Sequence, residues 1–496
     1  MKRFHEMIIG LLSWGTLLGL LFLSWKAPFV VAIFIVLYDL FWFLKTVYLF
    51  LHLRFSFSRL KRNMATDWIE KIKKENLSWE RVHHLVVLPL YKESYEVIYD
   101  AVDSLSKTNF PKEKIFVLLA PEQRGGREEE AERIAKELGH LFKGILVVSH
   151  PYGIPGELPG KGSNDAYAVR RAVPEMIIPS GVPTKDILVS VFDIDTRPGK
   201  EYFGILTHSY LTAPHPDHSS YQPIPIFTNN VYKVPVFARL IGFSSTFWQL
   251  MQQARPEQLV SFSSHSIPLQ ALIDVDFWNV GIVNEDSHIF FQCVNYYNGD
   301  WRAVPLLYPV YMDSVEGETT VKALKNLYKQ QRRWAWGIEN VSYVFSDFWK
   351  NKKLPFGRKI FWTLATIDGF HSWATSSFII FFFGFLPNAL GGALFHSTVT
   401  SYNLPKITGF IINLSTFGII TSAFLSVRLL PPKQEGGHKW YEALYQLLQW
   451  ILIPVTFIFF SAIPALEAQT RMILGGKFKL GFWVTPKAGQ EDKNDS

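Results

Sequence analysis

The chain has 496 residues, 48% of them hydrophobic and 19% charged, with 41 Phe and 16 Trp. That is more than one soluble core usually holds, and it leans apolar for a water-soluble enzyme, so a bilayer is expected as second solvent. The net charge of +7 comes from Lys and Arg spread along the chain without an arginine-rich run, which argues against nucleic acid and for lipid headgroups and a phosphorylated substrate. The single cysteine, Cys293, excludes an internal disulfide and a cysteine-based zinc site and fits a reducing, cytosol-facing domain.

Met7 to Trp25 and Pro28 to Leu51 are apolar runs each long enough to cross roughly 30 Å of hydrocarbon, joined by a short link, and they read as a transmembrane hairpin over residues 1–53. Lys2 and Arg3 precede the first run as in a signal peptide, but no small-residue cleavage site follows before the second. Arg54, Arg59, Lys61, Arg62, Lys71, Lys73 and Lys74 come next, a cluster that the positive-inside rule assigns to the cytosol. Residues 60–345 are therefore expected to form a cytosolic domain. In it, short apolar runs (His84 to Leu90, Lys114 to Ala120, Gly144 to Ser149, Asp186 to Phe192) alternate with helical patterns such as Arg127 to Leu138. That alternation predicts a mainly parallel α/β sheet.

Residues 346–470 turn apolar again, with Ile360 to Leu386, Ile407 to Leu425 and Tyr441 to Ile463 as candidate spans, and 471–496 form a basic tail. Two spans plus three would leave this tail outside, whereas Arg471, Lys477, Lys479 and Lys487 assign it inside. One of the three segments is then broken, re-entrant or interfacial, and Asp368 with His371, Pro387, Pro454 and Pro464 mark where a break would fall.

Asp193-Ile-Asp195 follows the apolar run Ile187 to Phe192, which sets two carboxylates at the end of a buried strand. Oxygen pairs of this kind suit Mg2+ or Mn2+ on a diphosphate, although in isolation an Asp-x-Asp is more often a turn. Asn284-Glu285-Asp286 offers a carboxylate as general base, against the bland reading of a solvated helix start. Gln330-Gln331-Arg332-Arg333-Trp334 joins an amide, fixed cations for phosphate and an indole on which a sugar ring can stack. The competing reading is a basic helix lying on the membrane surface.

With these motifs in this order between apolar segments, nearly the whole chain resembles the family 2 inverting glycosyltransferases, especially the membrane-embedded cellulose, chitin and hyaluronan synthases. The resemblance implies a GT-A fold, a Rossmann-like nucleotide-sugar-binding domain between transmembrane helices. It implies Asp193 and Asp195 on a Mg2+ or Mn2+ ion, Asp286 as base beside Glu285, and Gln330, Arg333 and Trp334 at substrate. Pro89, Tyr91 and Glu93 resemble the nucleotide-holding loop after the first strand, and Lys161 and Asn164 the family's Lys-Gly segment. Phe482, Val484, Thr485 and Lys487 resemble a gating loop. The sequence departs from the family at Glu122, where an Asp usually reads uracil, and at Ser263-Ser264-His265-Ser266, in place of a Gly- and Asn-containing acceptor loop.

The leading expectation is thus a hexosyltransferase of the EC 2.4 class in the cell membrane. It takes a nucleotide sugar, UDP-sugar favoured, and extends a glycan that passes through the helices among membrane lipids. Single transfer to a lipid acceptor is the second reading, and a channel or transporter with a non-catalytic domain the third. Product length separates the first two; intact acidic and Gln/Arg/Trp motifs argue against the last.

Overall fold

A computed structural model of the chain describes residues 2–431, 440–481 and 483–484. Its strands, in chain order, are β1 (His83–Leu90), β2 (Ile115–Pro121), β3 (Gly144–Val147), β4 (Ile187–Val191), β5 (Arg197–Pro198), β6 (Ser219–Phe227), β7 (Ser266–Pro268) and β8 (Arg302–Met312). They form one sheet in the order β3-β2-β1-β4-β7-β6-β8-β5. The helices used below are α1 (Lys2–Lys26), α2 (Pro28–Met64), α3 (Lys161–Ala172), α4 (Val236–Gln253), α5 (Glu285–Tyr296), α6 (Thr320–Ala335), α7 (Phe356–Phe381), α8 (Val399–Leu429) and α9 (Ile463–Leu474).

The first four strands pair in parallel, as the apolar runs predicted, and their ends lie within two residues of those predictions. β1, β2 and β4 are buried almost throughout, with Leu85, Val87, Leu118 and Val189 in a core on one face and Val86, Leu88, Val117 and Leu188 in a core on the other. Two covered faces explain the unbroken Val and Leu runs. The helix expected at Arg127 to Leu138 spans Glu128–Leu138.

Beyond β4 the expectation of a mainly parallel sheet fails. β7 runs antiparallel to both β4 and β6, and β5 antiparallel to β8, while β6 and β8 run parallel to each other. Proline explains why this half was hard to see: β6 contains Pro223 and Pro225, which lack the N–H a ladder needs, and its register against β8 shifts between Gln222 and Ile224.

The apolar layer is built on α1, α2, α7, α8 and the segment from Leu444 to Leu474. Among the described residues four helices are long and apolar enough to cross a membrane: α1, α2, α8 and the Leu444–Leu474 helix. A fifth counts if Phe356–Phe381 and Phe383–Leu390, bent by 46°, make one span. Polar side chains pin these helices together: Thr16 and His371 link α1 to α7 at 3.0 Å, and Tyr38 and Ser376 link α2 to α7 at 2.9 Å. Gly10 lets α9 approach α1, since a Cβ there would meet Ile473 at 2.6 Å.

The stretch expected as the last span keeps touching the sheet domain along its length. Trp450 stacks on Phe247 of α4 at 5.8 Å, Phe460 meets Phe237 at 5.3 Å, and Glu467 accepts from Arg332 of α6 at 2.6 Å. Its winding changes near the prolines, with α-helical pieces starting at Ile453 and Ile463 on either side of a π-helical turn, but the helix runs unbroken from Leu444 to Leu474.

Candidate active site

In the order β3-β2-β1-β4 the chain leaves β1 toward β2 on one side and reaches β4 on the other. The crevice at the C-terminal ends of β1 and β4 is where open α/β sheets bind ligands. Pro89 lies near the end of β1 with Tyr91 just past it, Glu122 follows β2, Asp193 and Asp195 follow β4, and Lys161 opens α3.

Lys161 is the focus. Its ammonium lies 3.0 Å from Asp193 Oδ1, 3.0 Å from Asp286 Oδ1 and 3.6 Å from Glu285 Oε1, and is almost fully buried. Burial alone would lower its pKa, but the carboxylates of Asp193, Asp286, Glu285 and Asp165 outweigh that and hold it well above the ordinary lysine value. The two acidic motifs, far apart in sequence, thus meet on one cation.

For the neighbouring acids burial wins, and their pKa values rise as well. Burial first, and then Asp286, push Glu285 up to about 8. Asp165, which the sequence reading missed, is fully buried one turn along α3 from Lys161. Its two oxygens have no hydrogen-bond partner among the described residues, and burial holds its pKa well above the usual carboxylate range. An acid in mid-helix gives no signal of such a place.

Each motif is held by distant groups. Ser263 Oγ donates to Asp193 Oδ2 at 2.7 Å, and the backbone N–H of Asp313 donates to Asp195 Oδ2 at 3.0 Å. Glu339, also missed, takes the backbone N–H of Val283 at 2.8 Å and of Asn284 at 3.1 Å on Oε1, which fixes the loop that enters α5. Asn284 Nδ2 donates to the carbonyl of Arg333 at 3.0 Å, tying the Asn284-Glu285-Asp286 motif to α6. Arg333 lies within electrostatic reach of Glu285. Gln330 is buried, while Trp334 stays half-buried with its ring 5.9 Å from Phe262 and 6.3 Å from Phe227.

At the other end of the crevice the Arg124 guanidinium sits 4.6 Å over the Tyr91 ring and 2.5 Å from the Glu122 carboxylate. His150 and Glu157, 2.9 Å apart, line the same pocket as Glu122 and Arg124. Glu93 is buried and accepts from the Tyr91 N–H at 2.6 Å, so it shapes the loop. Asn164 is fully buried and donates to the Ala120 carbonyl at 2.7 Å, joining α3 to the end of β2. Of the residues that resemble a gating loop, Phe482, Thr485 and Lys487 lie outside the described residues. Val484 is half-buried, and Lys329 of α6 sits 5.2 Å over the adjacent Trp483 ring.

The donor set fits a hard divalent cation, because hard carboxylate oxygens gather around a position where a protein cation already sits. Asp193 and Asp195 would supply two ligands and leave the rest to phosphate and water, the usual habit of Mg2+. The described residues hold one group of three ligands that converge, His215, His218 and Asp300. It lies before the starts of β6 and β8, away from this crevice.

Among solved structures, the chain is similar to a mannosyltransferase of Pyrobaculum calidifontis in complex with GDP-Man and Mn2+ (13% identity, 78% of this chain and 99% of that one, TM-score 0.40). It is also similar to S. aureus TarS 1-349 in complex with UDP-GlcNAc (15%, 68% and 90%, 0.36). No curated protein matches the chain in sequence. A family profile described as glycosyl transferase family group 2 matches residues 188–463, which takes in both acidic motifs, the Gln-x-x-Arg-Trp helix and much of the apolar layer. With more than half its length matched, the chain belongs to glycosyl transferase family group 2.

Proposed function

We propose that this glycosyltransferase moves a hexosyl group, with inversion, from a nucleotide sugar onto a growing glycan at the cytosolic face of a membrane and passes the product into its helices. The observation that carries the reading is the Lys161 ammonium within 3.0 Å of both Asp193 and Asp286, which gathers donor-side and acceptor-side carboxylates in one crevice. Asp193 and Asp195 hold Mg2+ or Mn2+, which supplies charge for the leaving diphosphate. Tyr91 and Glu122 take the base, UDP being favoured, and Lys161 and Arg333 meet phosphate oxygens. Trp334 stacks the terminal acceptor ring, and Asp286 removes the proton from its attacking hydroxyl.

The reading has α1, α2, the bent α7 segment and α8 as four crossings, with the Leu444–Leu474 stretch lying along the cytosolic boundary. This resolves the parity conflict, because the tail then shares a side with the catalytic domain. Contacts of Trp450, Phe460 and Glu467 with that domain support it. So does the ion pair of Lys479 with Glu6 at 2.9 Å, which joins the start of α1 to the segment after α9.

A second reading, single transfer to a lipid acceptor, is favoured by a cavity of about 590 Å³ between α2, α8 and the ends of β6 and β8. Phe57, Leu60 and Met64 offer it apolar wall and Lys61 and Arg428 offer it positive charge. The test is to incubate the enzyme in nanodiscs with Mn2+ and UDP-glucose, UDP-N-acetylglucosamine or GDP-mannose, measuring nucleotide release and product length. A long product supports extension and a single added sugar supports the lipid reading; no release from any donor sinks both.

A further inference from the structure

The turn Phe262 to His265 borders Trp334, Asp193 and Asp286. Phe262 meets the Trp334 ring edge-on at 5.9 Å, Ser263 donates to Asp193, and His265 Nδ1 lies 3.6 Å from Asp286 Oδ1 and 3.1 Å from the Phe262 carbonyl. The imidazole is fully buried. A carbonyl oxygen only accepts, so the Nδ1 facing it carries a proton; that N–H bonds the carbonyl, and Asp286 lies just beyond hydrogen-bond distance from it. Between them, Ser264 is held at φ 65°, a conformation that a residue with a side chain adopts at a cost and keeps only when its surroundings enforce it. The enforcement is visible: the Ser264 hydroxyl is 3.0 Å from that of Thr196, next to Asp195, and Val191 at the end of β4 donates to the His265 carbonyl at 3.1 Å.

We propose that His265 is a positioning residue for Asp286, and that its Nδ1–H fixes one carboxylate oxygen so that the other faces the acceptor hydroxyl. The inference rests on the reading of Asp286 as the base. Lys161 grips both oxygens of Asp286, at 3.0 and 3.2 Å, and a nucleotide diphosphate competes for that ammonium. As Lys161 turns to phosphate, the carboxylate loses a bidentate partner just when its direction matters. His265 faces it from a turn anchored on Thr196 and on Val191 at the end of β4. The Phe262 contact brings the same turn against the acceptor platform, so acceptor ring and base are referenced to one piece of backbone.

The experiment uses the full-length enzyme with whichever of the three donors releases nucleotide in the panel above. It compares Asp286→Asn with His265→Ala, His265→Asn and His265→Gln. The amide nitrogen of Asn reaches the position of Nδ1, whereas that of Gln reaches the position of Nε2. His265→Ala is expected to lower kcat on the order of 10-fold or more with donor KM unchanged, the scale of a misdirected group. His265→Asn should recover most of that loss and His265→Gln should not. A native kcat in His265→Ala, or equal losses in Asn and Gln variants that track a lowered melting temperature, overturns the positioning role. If Asp286→Asn itself keeps native turnover, the base assignment fails and takes this inference with it; an inactive Asp286→Asn with a fully active His265→Ala defeats this inference alone.

Discussion

Gly162, one residue past Lys161, has no side chain because Glu285 occupies the space: a Cβ built there would lie 2.8 Å from the Glu285 Cβ. Gly162→Ala is expected to destabilise by about 1–3 kcal/mol as overpacking, and to cut nucleotide release by displacing Glu285 and Asp286, read by thermal unfolding and turnover. Glu339 gives a pH prediction. Burial raises its carboxyl from 4.5 to about 7, so the stability it contributes is fully present below about 4.5 and lost as pH rises through about 7. Glu339→Gln should flatten that part of the melting-temperature profile, and an unchanged slope between pH 4.5 and about 7, the window the shift spans, refutes the assignment. Asp193, Asp195, Glu285 and Asp286 were legible in the sequence because carboxylates at a strand end and a helix start form local patterns. Asp165 and Glu339 were not, and His265 stood out only within a stretch that departs from the family's acceptor loop, since each matters through partners that the fold brings from other elements.

Elements divide along the same line. β1 to β4 were readable because parallel strands covered on both faces must be continuous apolar runs between turns. β6 and β8 carry prolines, and the three-residue β7 is too short for any alternation to appear. The bond between α6 and α9 also escaped the sequence. Glu467 accepts from Arg332 at 2.6 Å, Tyr328 at 2.7 Å and Arg471 at 2.7 Å, so one acid anchors the Gln-x-x-Arg-Trp helix to an apolar segment. Glu467→Ala leaves those donors without their acceptor. It should cost about 1–3 kcal/mol and lower turnover by loosening Trp334, seen as a reduced melting temperature with a raised acceptor KM.

For the whole molecule, hydropathy found every apolar segment, but length and composition alone could not tell a crossing from a helix lying against the domain, which depends on contacts. α2 shows the same limit, for it continues past the expected Leu51 to Met64, through the basic cluster. The proposed topology predicts opposite sides for Lys477 and Leu394, which is exposed in the helix Gly392–His396 beyond the bend. In sealed vesicles with the catalytic domain inside, Leu394→Cys should react with an impermeant maleimide and Lys477→Cys should not; labelling at Lys477 refutes the four-crossing arrangement.

The clasp between α1 and the stretch from α9 to Lys479 bears on how the protein is made. Arg3 donates to the carbonyl of Met472 at 2.6 Å, Trp14 to Thr470 at 2.9 Å, and Glu6 pairs with Lys479. Helix α1 emerges from the ribosome before the sheet domain, yet the α9 surface that packs on its face at Gly10 is synthesised only after that domain. Throughout elongation of the sheet domain, that face has to be sheltered by lipid, by neighbouring helices or by the insertion machinery. A chain cut short before α9 therefore leaves α1 with an unmet partner, and the arrival of α9 is the step that closes this contact.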